Sequence, residues 1–122
     1  MEGLIYLSKI MIDYSLKTKE KEENKHIIGI KQNNNIIFKD EDYNMHLIIE
    51  QNKVIMKREN KETILEITFD KVSNGNLFLK EYNQSLDLEI KLIDLLLNQN
   101  MIKIKYEINE DIIDFSLKYE VI

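Results

Sequence analysis

Apolar and polar residues alternate along most of the chain, and small clusters of turn-forming residues break the alternation at short intervals. The clusters are Asn33-Asn34-Asn35, Glu41-Asp42, Gln51-Asn52, Asn60-Lys61, Asn74-Gly75, Asn83-Gln84, Asn98-Gln99-Asn100 and Asn109-Glu110. A period of two belongs to strands with one buried face, and evenly spaced short strands predict a sandwich or barrel. A tight turn also fixes which residues face each other, and partners must share a side of the sheet. Turns at Glu41-Asp42 and Gln51-Asn52 set Met45 opposite Phe38, Leu47 opposite Ile36, Val54 opposite Ile49 and Met56 opposite Leu47. A three-residue loop at 33–35 pairs Phe38 with Ile30, and a turn at Asn60-Lys61 pairs Leu65 with Met56 and Ile67 with Val54. Every pair is apolar, so residues 28–69 read as a five-strand meander with one oily face. Lys39, Lys57, Glu50 and Lys53 take the other face, the last two directly opposed.

The carboxyl-terminal hairpin passes the same test. Turning at Asn109-Glu110, it pairs Tyr106 with Ile113, Ile104 with Phe115 and Ile102 with Leu117 inside, while Lys105 meets Asp114 outside. Turning at Asn74-Gly75 would oppose Phe69 to Lys80, which predicts a bulge or a longer loop there. Leu86, Leu88, Ile90 and Leu92 alternate in one phase, and Ile93, Leu95 and Leu97 in the other, so a second bulge is expected near Leu92 or a helical turn over 92–97. With a first strand at Ile10 to Leu16, the chain yields about nine or ten strands, nearly all joined to their sequence neighbours. An open sheet of that width leaves two bare edges, so the expected fold is all-β, an antiparallel up-and-down barrel of about eight to ten strands.

Composition narrows the functional classes. The 122 residues suit one domain spanning 1–122, and the net charge of −5, from 22 acidic against 17 basic side chains, argues against a nucleic-acid partner. The absence of cysteine removes disulfides, thiolate metal sites and thiol nucleophiles. Residues Met1 to Lys9 lack a basic leader, and no apolar run approaches the roughly 20 residues of a spanning helix, so a cytoplasmic protein without a membrane segment is expected. The charge run Lys17-Thr18-Lys19-Glu20-Lys21-Glu22-Glu23-Asn24-Lys25 reads as an exposed loop.

The lone Gly29 ahead of a meander, the segment Val54-Ile55-Met56-Lys57-Arg58, and Met101-Ile102-Lys103-Ile104-Lys105-Tyr106-Glu107-Ile108 followed by Phe115-Ser116-Leu117-Lys118-Tyr119 resemble the YwiB-like proteins. These are bacterial domains of unknown function with a calycin-like, hence lipocalin-like, barrel. The resemblance covers about residues 27–122 and departs from the family pattern at Gln84-Ser85, where a glycine turn is usual. It implies a barrel and no activity.

Chemistry is sparse. His26 and His46 are the only imidazoles, lie far apart and lack a strand-spaced partner, so neither is expected to hold a metal. Acidic residues such as Glu66, Asp87, Glu89 and Glu107 alternate with inward positions and read as a solubilising coat. No serine sits in a nucleophile elbow, and three glycines cannot supply a phosphate loop. No catalytic residue, metal or cofactor is expected, and the protein reads as non-enzymatic. Arg58, the only arginine, shares the inward side of its strand with Val54 and Met56, so its guanidinium must reach the rim, pair with a carboxylate or hold an anionic ligand. The inward hydroxyls of Tyr14, Tyr106 and Tyr119 are the other polar groups expected near the lumen. In a calycin-like barrel such an Arg and Tyr set would orient the head group of an apolar ligand. Large inward side chains leave room for at most a small cavity near one end. Two functions follow: a binding barrel for a small apolar or amphipathic ligand at Arg58, Tyr14, Tyr106 and Tyr119, or a packed interaction module. The second is favoured if outward Ile48, Ile55 and Ile112 cluster, with a homodimer as its simplest form.

Overall fold

Chains that alternate oily and polar residues offer a sheet one face to bury and a helix none. In the computed structural model, which describes residues 7–122, every regular element is accordingly a strand. The reading of the amino terminus as leader-free falls partly on residues 1–6, outside the described residues. Eleven strands follow in chain order: β1 (Leu7–Lys17), β2 (Glu22–Gln32), β3 (Asn35–Asp40), β4 (Tyr43–Glu50), β5 (Lys53–Glu59), β6 (Thr63–Phe69), β7 (Asn74–Leu79), β8 (Gln84–Leu88), β9 (Ile90–Asn98), β10 (Met101–Ile108) and β11 (Asp111–Val121). They form a single antiparallel sheet in the order β8-β7-β6-β5-β4-β3-β2-β1-β11-β10-β9.

Eleven alternating directions make the first and last strands of that order point the same way. β8 and β9 are separated only by Glu89, so they are two halves of one run that pairs first with β7 and then with β10. β9 also touches β6 and β7. The sheet thus curls into a nearly closed up-and-down barrel. Eleven strands exceed the nine or ten counted from the sequence because this run is split in two, while β2, already counted, is longer than expected and begins at Glu22. Only residues 18–21 of the charge run form a turn, and its second half continues the pairing with β1 from Lys17 opposite Glu22.

Inside, Ile10, Ile12, Ile36, Leu47, Val54, Ile67, Phe69, Ile102, Ile104 and Leu117 are fully buried. The hairpin registers at 41–42, 51–52 and 109–110 are as expected, including Phe38 opposite Met45, Leu47 opposite Met56 and Ile104 opposite Phe115. The bulge also lies where the phase change put it: Lys105 faces Asp94 and Tyr106 faces Leu92, leaving Ile93 extra.

Two turns differ from expectation, and at Asn74-Gly75 the longer loop that was expected forms earlier in the chain. Asn33, with φ of 54°, opens a two-residue turn instead of a three-residue loop, so Ile30 faces Ile37 rather than Phe38, and both point outward. Gly29 takes the inward place, where a Cβ would stand 2.6 Å from Ile12 Cδ1 and 2.8 Å from the Ile37 carbonyl oxygen. At the next turn, Asn60 Oδ1 accepts hydrogen bonds from the Glu62 and Thr63 amides at 2.9 and 2.8 Å, which moves the turn on by one residue. Met56 then faces Ile67 and Arg58 faces Leu65, two residues from the expected register and on the same face. Asn74-Gly75 is no turn at all. Ser73 Oγ donates to the Asp70 carbonyl oxygen at 2.8 Å and closes a loop at 70–73, and Gly75 lies inside β7 opposite Ile67. A Cβ there would stand 3.1 Å from Ile90 Cγ1, so the glycine makes room for the strand that closes the barrel.

Candidate functional site

The inward side chains nearest the 41–42 and 109–110 turns do not meet across the lumen. They leave a cavity of about 210 Å³, walled by Met45, Met56, Leu65, Ile67, Ile113 and Phe115 and reached by Arg58, Tyr14 and Tyr106. Leu16, Glu23, Asp40, Tyr43 and Ile108 complete the lining. Tyr14 packs tilted against Phe38 and Phe115, with ring centroids 5.4 and 6.3 Å apart, and Tyr106 packs on Phe69 at 4.8 Å. The tyrosine rings therefore sit in the core while their hydroxyls face the polar end.

Arg58 stands opposite Met45 and Leu65, near the end of β5, with its guanidinium 4.4 Å over the Tyr43 ring. It forms no ion pair among the described residues. Of the three alternatives open to it, the structure shows the half-buried rim position.

The carboxylates at the mouth are already engaged. Asp40, buried, accepts hydrogen bonds from the Tyr14 hydroxyl, from Lys25 Nζ at 2.7 Å and from the Glu41 amide at 2.7 Å. Burial pushes its carboxyl up, yet the Lys25 ammonium, the Tyr14 hydroxyl and the Glu41 amide outweigh burial and hold it below the ordinary range. Tyr14 moves the other way: burial first, and then the Asp40 hydrogen bond and charge, push its hydroxyl well above the usual tyrosine value. Glu23 accepts from Lys21 at 2.7 Å, which lowers its pKa. Tyr106 is 5% exposed and its hydroxyl makes no hydrogen bond among the described residues; since no fully buried polar side-chain atom there lacks a partner, this hydroxyl is the part of the residue that keeps contact with solvent. Burial raises its pKa, with the Arg58 charge pulling the other way.

Tyr119 does not join this group. Its hydroxyl donates to the Gln99 carbonyl oxygen at 3.1 Å, and it lines a separate depression with Asn33, Asn34, Ile49 and Met101 where the 33–34 and 99–100 turns lie. His46 Nε2 meets Asn35 Oδ1 at 2.7 Å on the outer face opposite Lys57, and exposed His26 pairs with Asp13. No group of three or more His, Cys, Asp or Glu among the described residues is arranged to hold a metal. No helix among them is long and apolar enough to cross a membrane.

Glu23, Lys25, Asp40 and Tyr43 went unrecognised in the sequence. Asp40 and Tyr43 share the phase of Phe38 and Met45, a signal that was present. Glu23 and Lys25 share the phase of Gly29, and reading the charge run as a loop concealed it.

No family model and no curated protein matches the chain. Among solved structures, it is similar to the crystal structure of the ywiB protein from Bacillus subtilis, with a TM-score of 0.66 over 96% of this chain and 94% of that one. The identity is 11%, so the likeness is one of fold: a YwiB-like barrel.

Proposed function

We propose that this barrel binds a small apolar or amphipathic ligand without turning it over, in the cavity at the Arg58 end. The observation that carries the reading is an apolar void with its polar groups gathered at one end, the usual construction of a small-molecule site. Its walls lack partner atoms that an occupant would supply. At about 210 Å³ it lies below the roughly 300–1,000 Å³ of sites for drug-sized molecules, so the ligand is short. Titration calorimetry with straight-chain alcohols tests this. Affinity should rise about fourfold per methylene, from about 0.8 kcal/mol each, and level off near eight carbons. Leu65→Trp, which fills the void from its wall, should abolish binding; undiminished binding in that variant, or none in the wild type, rejects the reading.

A second reading, an interaction surface used for homodimerisation, is favoured by a different feature. Ile48 and Ile55 face each other on β4 and β5, but Ile112 lies on β11, four strands from β4, so these three form no single patch. Leu7, Ile28, Ile30 and Ile37 do adjoin one another on the outer face of β1 to β3, each at least 39% exposed. Light scattering should then give a mass above 14.6 kDa that Ile30→Glu returns to the monomer value.

A further inference from the structure

We infer that the ligand of this cavity is a monoanion, a carboxylate on a chain of about six to eight carbons, with its head group held by Arg58 and Tyr106. The inference rests on the cavity being a ligand site and concerns which ligand it takes. Three charged side chains line the cavity: Glu23, Asp40 and Arg58. Both carboxylates are neutralised by lysines, Glu23 by Lys21 and Asp40 by Lys25, each at 2.7 Å. Asp40 takes its three hydrogen bonds from Tyr14 at Oδ2 and from Lys25 and the Glu41 amide at Oδ1, and Arg58 forms no ion pair with it or with any other carboxylate among the described residues. One positive charge therefore remains uncompensated at the apolar wall.

The form of that charge selects the partner. A guanidinium is a planar fork of five donors that matches a carboxylate in two parallel hydrogen bonds, and stacking on the Tyr43 ring occupies its face while leaving its edge free. Tyr106 presents an unpartnered hydroxyl on the same cavity, close enough for the Arg58 charge to act on it. Tyr14 is not part of the head-group site, because its proton is committed to Asp40. A dianionic phosphate would ask for a second free cation, and among the described residues that line this cavity Arg58 is the only cation. A cationic ligand would meet Arg58 and two occupied carboxylates. The volume holds about seven water-sized groups at about 30 Å³ each, which sets the chain length.

Octanoate, 1-octanol and octylammonium share one tail and differ in charge, so calorimetry of the three against the full chain isolates the head group. Octanoate should bind at least about tenfold tighter than octanol, the worth of a charge-assisted hydrogen bond, and octylammonium should be weakest. Arg58→Met should bring the octanoate-to-octanol preference close to one, with thermal melting checking that the variant folds. Tyr106→Phe should lower the same preference severalfold, and it keeps the test decisive should Arg58→Met fail to fold. Octanol binding as tightly as octanoate to the wild type, or a preference that survives both substitutions, overturns the anion assignment while leaving the cavity a binding site. Failure of all three probes to bind removes both.

Discussion

Asp40 is the only buried charged side chain among the described residues, and three hydrogen bonds on its carboxylate explain why the barrel tolerates it. Because its pKa is lowered on folding, its contribution to stability is complete above the ordinary carboxyl value of 3.8 and is lost as the pH falls below that through the lowered one. Urea midpoints measured against pH should show this acid limb in the wild type, and Asp40→Asn should flatten it; an identical limb in the variant would refute the assignment. Tyr14 carries the opposite sign. Its raised pKa gives stability that is full below pH 10.0 and declines as the pH rises beyond it. The two buried tyrosines of the cavity should also respond differently to loss of the hydroxyl. Tyr14→Phe strips Asp40 of a donor and should cost about 1–3 kcal/mol, whereas Tyr106→Phe removes a group with no partner and should stay within about 0.5 kcal/mol. Equal costs in denaturant melts would show that Tyr106 is bonded after all. Arg58 and Tyr106 were legible in the sequence because their phase follows from strands whose tight turns are readable, and Tyr14 because it continues the alternation of Ile10 and Ile12. That Tyr14 is committed and Tyr106 free was not legible, since it depends on Asp40 arriving from β3.

Hairpins show where sequence reading succeeds and where it stops. At 41–42, 51–52 and 109–110 a two-residue turn joins strands of unbroken alternation, so local sequence alone fixes the register. At Asn60 a side chain captures two amides and shifts the turn, and at Asn74-Gly75 the turn-like dipeptide answers instead to Ile90, far along the chain. The slip at Asn33 had the widest effect. A register displaced by one residue exchanges the faces of a whole strand, so Ile30 reads as inward, while Glu23 and Lys25, half of the cavity mouth, stay hidden because the charge run reads as a loop and not as the start of β2. Turn geometry also leaves a flaw that can be repaired. Asn109 and Glu110 both have positive φ, at 50° and 67°, the pattern of a two-residue turn that prefers glycine second. Glu110→Gly should therefore raise the melting midpoint, since it relieves about 1–2 kcal/mol of left-handed strain against about 0.5–1 kcal/mol of added chain entropy, a gain that neither the cavity nor its ligands would sense. A loss of stability would mean that the Glu110 side chain contributes more than its backbone costs.

At the scale of the whole molecule, the barrel depends on one run of chain that changes neighbours. β8 holds β7, β9 holds β10, and the switch occurs at Glu89, so no continuous ladder crosses the seam between the two ends of the sheet. Beyond the chain itself at Glu89, what holds the seam is packing: Ile90, 6% exposed, rests against Gly75 on β7. A sheet closed by side chains in one place and by hydrogen bonds everywhere else should open first at that place, since local stability follows local burial and pairing. Alternation alone predicted closure without showing its location, because the seam is set by a contact between a glycine and an isoleucine in different strands. Gly75→Val tests the seam directly. Its side chain would enter the space within 3.1 Å of Ile90 Cγ1, an overpacking that costs about 1–3 kcal/mol. Amide hydrogen exchange should then quicken along residues 84–98 while β1 and β11, paired on both sides, keep their protection. Uniform acceleration across all strands would show instead that the barrel opens as a single unit and that its closure is shared by the entire sheet.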